Sequence, residues 1–238
     1  SEVSEEVSKW FEGRGISQQT LSRLKVSGGS EWMPQTKKQM NTINFNYFLN
    51  DSLVNVKYRD GKKNFKLYKD AEKIFYNLDS IRTPKDCVIV EGEIDVLSFV
   101  ESEVFNVVSI PNGFNLQGNI NLDYLDNYLD FFDNKDKIYL ALDNDEAGLK
   151  GRSEFIRRLG AERCYLVDFR DCKDANEYLF KYGKEELKEC LKTANLTPLE
   201  NVKQLNDYSK ELDNFWVNGL PKGMLTGMSL FDEIFSAE

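Results

Sequence analysis

Twice in this chain a run of buried-strand character ends in an acidic turn and passes into a helical pattern. Cys87-Val88-Ile89-Val90 leads into Glu91-Gly92-Glu93-Ile94-Asp95, and the run from Lys137 to Leu142 leads into Asp143-Asn144-Asp145. Continuous short apolar runs read as strands covered on both faces, the condition of a parallel sheet. After the first, Val96, Phe99 and Val100 mark a helix, and Val104 to Ile110 reads as strand again. After the second come a helix with the stripe Leu149, Phe155, Ile156 and Leu159, and a strand from Arg163 to Val167. Two βαβ units predict an open α/β sheet whose working edge lies at the C-terminal ends of its strands.

That placement brings distant carboxylates to one crevice. Glu91, Asp143 and Asp145 follow strands directly, and Asp174 follows the strand ending near Val167. Taken singly, each acid reads as a solvated loop residue or a favourable charge at a helix N-terminus. Taken together, packed carboxylates repel, and a divalent cation resolves the conflict. Oxygen ligands without His or Cys favour magnesium, with manganese as the alternative, over zinc, and such sites suit phosphoryl transfer. Gly92 and Ala147-Gly148 leave room for phosphate, and the turn Pro111-Asn112-Gly113 offers backbone amides at the same edge.

Upstream the period changes. Val7, Trp10, Phe11, Ile16, Leu21 and Leu24 predict two short amphipathic helices around Gly13-Arg14-Gly15, with Ser17 capping the second. Segments 44–48, 53–59 and 64–68 alternate apolar and polar residues, with Asp60-Gly61 as a hairpin signal. The net charge of −9 argues against a broad duplex-binding face, yet from Lys57 to Lys73 seven basic residues stand against three acidic ones. This patch suits phosphates; its bland alternative is a solvated hairpin with a charged face. Tyr47, Tyr58, Phe65 and Tyr68 alternate with these charges, and half of any such set must face the core. Four cysteines without a CxxC pair, and no histidine, exclude the usual zinc sites; Cys87 and Cys164 read as reduced core thiols. No apolar run is long enough for a membrane helix, and a cytoplasmic protein of a bacterial or phage-infected cell is expected.

Val90-Glu91-Gly92-Glu93-Ile94-Asp95 and Ala141-Leu142-Asp143-Asn144-Asp145-Glu146-Ala147-Gly148 resemble the two signature motifs of TOPRIM domains, found in primases, topoisomerases and nucleases. The resemblance implies a Rossmann-like parallel sheet with flanking helices, plus a small N-terminal α+β subdomain. It also implies that Glu91 is a general acid or base beside the metal and that Asp143 and Asp145 bind magnesium. Lys173-Asp174-Ala175-Asn176-Glu177 is similar to a third motif of one branch, the primases fused to ring helicases in phages and their mitochondrial relative Twinkle. Segment 57–66 is similar to that branch's basic motif, which implies nucleotide binding by Lys57 and Lys63, with Arg59 between them. Gly219-Leu220-Pro221-Lys222-Gly223 through Phe231-Asp232 resembles the opening of its helicase domain.

The implied organisation is an N-terminal subdomain over 1–82, a TOPRIM domain over 83–196, and a linker with the start of a truncated helicase domain over 197–238. Both ends look cut from something longer. The implied activity is synthesis of short RNA primers on a single-stranded DNA template from ribonucleoside triphosphates, with a helicase domain, a hexameric ring in the full-length protein, as C-terminal partner. Unlike the phage enzymes, the chain has no zinc module; unlike animal Twinkle, it keeps its acidic residues. Two other readings stay open: a TOPRIM nuclease, and a noncatalytic single-stranded DNA-binding module of a Twinkle-like helicase.

Overall fold

The computed structural model describes residues 3–114 and 121–197, together with Asp213, Trp216 and Val217. Residues 3–197 fold as one unit, and 198–238, where the linker and helicase opening were expected, fall almost wholly outside the described residues.

The chain starts with α1 (Glu5–Glu12) and α2 (Gln18–Arg23). Ser4 caps the first by accepting from Val7 N, and Ser17 caps the second by accepting from Thr20 N, each satisfying an amide the first turn leaves free. A four-stranded antiparallel meander follows: β1 (Ser27–Met33), β2 (Lys38–Leu49), β3 (Ser52–Asp60) and β4 (Phe65–Leu67), in that spatial order. β1 was not expected, because Ser27-Gly28-Gly29-Ser30 lacks the β-branched and aromatic residues that mark strands. Its pairing with β2 creates it, and a Cβ at Gly29 would lie 2.8 Å from Asn44 Nδ2, so the Asn44 side chain would have to shift.

The β3–β4 hairpin forms where Asp60-Gly61 signals it, but by other means than a glycine turn. The Asp60 carboxylate accepts from Lys62 N, Asn64 N and Asn64 Nδ2, and the left-handed residue is Lys63, with φ of 63°.

The second sheet runs β6-β5-β7-β8-β9, built from β5 (Asp86–Val90), β6 (Val107–Ser109), β7 (Lys137–Ala141), β8 (Cys164–Leu166) and β9 (Asn195–Leu196). The first four strands are parallel; β9 adds an antiparallel edge beyond the expected βαβ units. The helices are α3 (Glu93–Glu101), α4 (Asp123–Asp126), α5 (Asp130–Asp133), α6 (Glu146–Leu159), α7 (Ala175–Tyr182) and α8 (Lys184–Glu189). Cys87 to Val90 are wholly buried, as a central parallel strand requires. On α6, Phe155 and Leu159 face the core, but Leu149 is exposed.

One apolar core joins the two sheets: Phe45, Tyr47 and Tyr76 pack with Val88, Val107 and Phe99 in the same cluster. Tyr76 also bridges to Ser109 of β6 by backbone hydrogen bonds. Glu101 fastens α2 to α3 by accepting from Ser17 N, Ser17 Oγ, Thr20 Oγ1 and Lys184 Nζ. Burial alone would raise this carboxyl, but those hydrogen bonds win and bring it down to about 2. All four cysteines are free and buried, and no described helix is long and apolar enough to cross a membrane.

Candidate active site

Strand ends deliver the acids. Glu91 follows β5, Asp143 follows β7 after Leu142, Asp145 is the N-cap of α6, and Asp174 is the N-cap of α7. Asp145 accepts from Gly148 N at 3.0 Å and Asp174 from Glu177 N at 2.8 Å, so each commits one oxygen to holding its helix. Gly148 is dictated by this turn. A Cβ there would sit 2.1 Å from the Asp143 carbonyl oxygen, an overlap only backbone movement could relieve.

Glu91 is raised to about 7, first by burial, then by the charges of Asp143 and Asp145, with Lys173 opposing. A backbone hydrogen bond from Phe114 also opposes the shift, so the turn after Ile110 does supply an amide to this edge. Phe114 is seated against Gly151 and edge-on to Phe155 of α6, which ties that turn down. One Glu91 oxygen, Oε2, is buried without a hydrogen-bond partner among the described residues. Asp143 is likewise raised, by burial first, with Asp174 and Asp145 adding repulsion against the pull of Lys173. The expected gathering of Glu91, Asp143, Asp145 and Asp174 at one edge is therefore what their mutual electrostatics record.

Lys173 was not anticipated as a site residue. Its Nζ lies 3.2 Å from Asp143 Oδ2 and 3.5 Å from Asp145 Oδ2. An ammonium thus stands where the two carboxylates would meet a cation, and no group of three or more acids or cysteines among the described residues is set in metal-holding geometry. The sequence signal was present in Lys173-Asp174, but only the fold brings that lysine back over the Asp143 turn.

A second acidic layer lies beneath. Asp95 is buried, accepts from Gly92 N and Asn176 N, and is raised well above its ordinary value by burial, with Asp174 and Asp143 adding to it. Asn176 also donates to Ser98 Oγ and Arg14 O and accepts from Arg14 Nη1, locking the turn between α1 and α2, α3 and α7 together.

The basic residues divide. Lys57 is buried, and its Nζ donates to Glu93 Oε1 at 2.8 Å, an oxygen that also accepts from Tyr47 OH. Lys57 was expected to hold nucleotide; here it joins β3 to the first turn of α3. Tyr47, one of the alternating aromatics, is fully buried in this network, whereas Tyr68 is exposed. Arg59 is also buried, 4.6 Å from the Trp10 ring centroid, with Arg14 at 4.4 Å from the same ring. Burial, and then Arg14, lowers the Arg59 pKa. Lys63 is exposed at the hairpin tip. Trp10, Arg14, Arg59 and Lys63 line a groove of about 920 Å³ between α1 and the antiparallel sheet. Helical spacing marked Trp10 only as an apolar residue and gave Arg14 no role; the groove is framed by residues of α1 on one side and of β2 and β3 on the other.

Comparison with known proteins agrees with this architecture. Residues 88–179 match a family model described as Toprim-like. The chain is 31% identical over 252 aligned residues to the Twinkle homolog protein, chloroplastic/mitochondrial, of Arabidopsis thaliana, covering 98% of this chain and 35% of that one. It is 33% identical over 215 residues to the primase homolog protein of the same plant, covering 84% of this chain and 62% of that one. The chain thus spans less than two thirds of either relative. Among solved structures, the primase fragment of the bacteriophage T7 primase-helicase superposes with a TM-score of 0.61 at 27% identity, covering 76% of this chain and 72% of that one. With the acidic edge built on β5 and β7, these likenesses identify residues 88–179 as a Toprim-like domain in a chain homologous to the phage primase-helicases and the Twinkle homologues.

Proposed function

We propose that this chain is the primase core of a primase-helicase and joins ribonucleotides into short primers on single-stranded DNA, in a reaction that needs magnesium and accepts manganese. The observation that carries the reading is the under-compensated acidic edge: Asp143 and Asp145 share the single ammonium of Lys173, Glu91 Oε2 is buried with no partner among the described residues, and Glu91 and Asp143 are both raised, first by burial. The donor chemistry suits a hard divalent cation, because the donors are all carboxylate oxygens and an ammonium already lies against two of them, and three of these acids would have to draw together around it. Asp143, Asp145 and Glu91 would hold it, with Asp174 as the fourth acid of the edge. A bound cation would supply neutralisation of charge on the triphosphate oxygens.

The chain's own residues do the rest. Glu91, at the end of β5 on the same edge, takes the proton of the primer 3'-hydroxyl as general base. Arg59 and Lys63 hold the triphosphate from the groove side, as fixed positive charge facing the developing negative charge. Lys57 contributes only by exchanging Glu93 for a phosphate. The template strand lies along this same mouth, and a helicase domain C-terminal to the chain, assembled as a hexameric ring, delivers it.

The test is incubation of the chain with single-stranded template, ribonucleoside triphosphates and magnesium. Short oligoribonucleotides are expected, and chelation should stop their formation. Magnesium-dependent cleavage of the DNA without incorporation would show a nuclease, and strand binding without either reaction would show a noncatalytic module.

A further inference from the structure

We propose that Lys173 is a tethered counter-ion that keeps the Asp143–Asp145 pair closed to a bare divalent cation and yields it to a cation arriving with a nucleoside triphosphate. The inference rests on the metal site proposed above and concerns how that site is loaded.

Two features separate Lys173 from an ordinary surface lysine. Its backbone is fixed on both sides: the carbonyl accepts from Asn144 N at 3.1 Å, inside the acidic turn itself, and the amide donates to Glu177 Oε2 at 2.7 Å. Glu177 N in turn donates to Asp174, the next residue, so the loop before α7 is latched onto the β7–α6 turn. The side chain, by contrast, is 58% exposed and bonds only through its terminal ammonium to Asp143 and Asp145. A fixed root with a free stem places one positive charge on the two carboxylates without making it a permanent part of the wall.

The energetics then depend on what arrives. A bare divalent cation must expel the ammonium from its two partners and leave it beside a more positive site. A cation carrying triphosphate brings anionic oxygens, and the expelled ammonium exchanges carboxylate partners for phosphate ones. By linkage, nucleotide therefore raises the affinity for the cation, and the cation raises the affinity for nucleotide by the same factor. The lysine suppresses unproductive metal uptake and adds its charge to the phosphates once nucleotide is present.

The experiment is calorimetric titration with Mn²⁺ of the whole chain, its Lys173→Met variant and its Lys173→Arg variant, each with and without a non-hydrolysable ribonucleoside triphosphate. Lys173→Met should bind Mn²⁺ alone about threefold more tightly than the unaltered chain, the scale of losing an exposed ion pair as competitor. The analogue's enhancement of Mn²⁺ binding should shrink in Lys173→Met and be largely restored in Lys173→Arg. A lysine that merely organised the loop would give the opposite sign, weaker Mn²⁺ binding in Lys173→Met, and that result, or no change, overturns the proposal. If the unaltered chain and both variants fail to bind Mn²⁺ with or without the analogue, the metal site itself is wrong and this inference goes with it.

Discussion

At the junction of β3 with α3, Lys57 is buried and paired with Glu93 beside Tyr47. At the rim of the parallel sheet, Asp143 and Asp145 share one lysine beside Glu91, and burial raises Glu91 and Asp143. Both regions bury charge, yet only the first balances it. Ion pairs closed within the fold hold elements in register; acids left in excess at a sheet edge wait for charge from outside. The contrast divides the charged residues that the sequence presented as one functional set.

Substitutions at each side break or sharpen that division. The largest effect belongs to the rim. Asp145→Asn keeps an oxygen able to cap α6 and removes the charge, so primer synthesis should fall by about a hundredfold or more while the melting temperature stays within a few degrees. A parallel collapse in stability would mean that Asp145 is there for the helix alone. Next is the balanced pair. Lys57→Met strands Glu93 in the interior and should cost about 3–5 kcal/mol in denaturant unfolding, much of it recovered in the double variant with Glu93→Met. A cost below about 1 kcal/mol would place Lys57 with the functional charges instead.

Glu101 gives an intermediate effect with a pH signature. Its folded-state value, about 2, lies below the ordinary 4.5, so its contribution is present above pH 4.5 and is lost as pH falls through 2. Glu101→Gln should therefore destabilise the chain by about 2 kcal/mol at neutral pH, with the gap closing toward pH 2. A gap independent of pH would assign the loss to packing rather than charge. The smallest effect is at the hairpin tip: Lys63→Ala should leave stability within about 0.5 kcal/mol and raise the KM for nucleotide several-fold. An unchanged KM would remove Lys63 from the nucleotide groove.

Much of the parallel sheet was legible because burial on both faces writes an unmistakable run, as in Cys87 to Val90, and because strand ends fix where Glu91 and Asp143 emerge. β1 was not legible, since Ser27 to Ser30 becomes a strand only through the partner it finds in β2. Leu149 looked like core because its spacing fits the stripe of Phe155 and Leu159, yet it is exposed. The pairing of Lys57 with Glu93 and the return of Lys173 over Asp143 join residues 36 and 30 positions apart, and no local pattern encodes which charges will meet. Spacing found the acids; their counter-charges needed the fold.

The account stands most directly on where a divalent cation goes. Crystals soaked with Mn²⁺ and a non-hydrolysable ribonucleoside triphosphate should show an anomalous peak within about 2.2 Å of oxygens from Asp143 and Asp145, with Glu91 facing it and the Lys173 ammonium moved away. A map with Lys173 still seated on the two aspartates and the Mn²⁺ peak elsewhere in the molecule would contradict it.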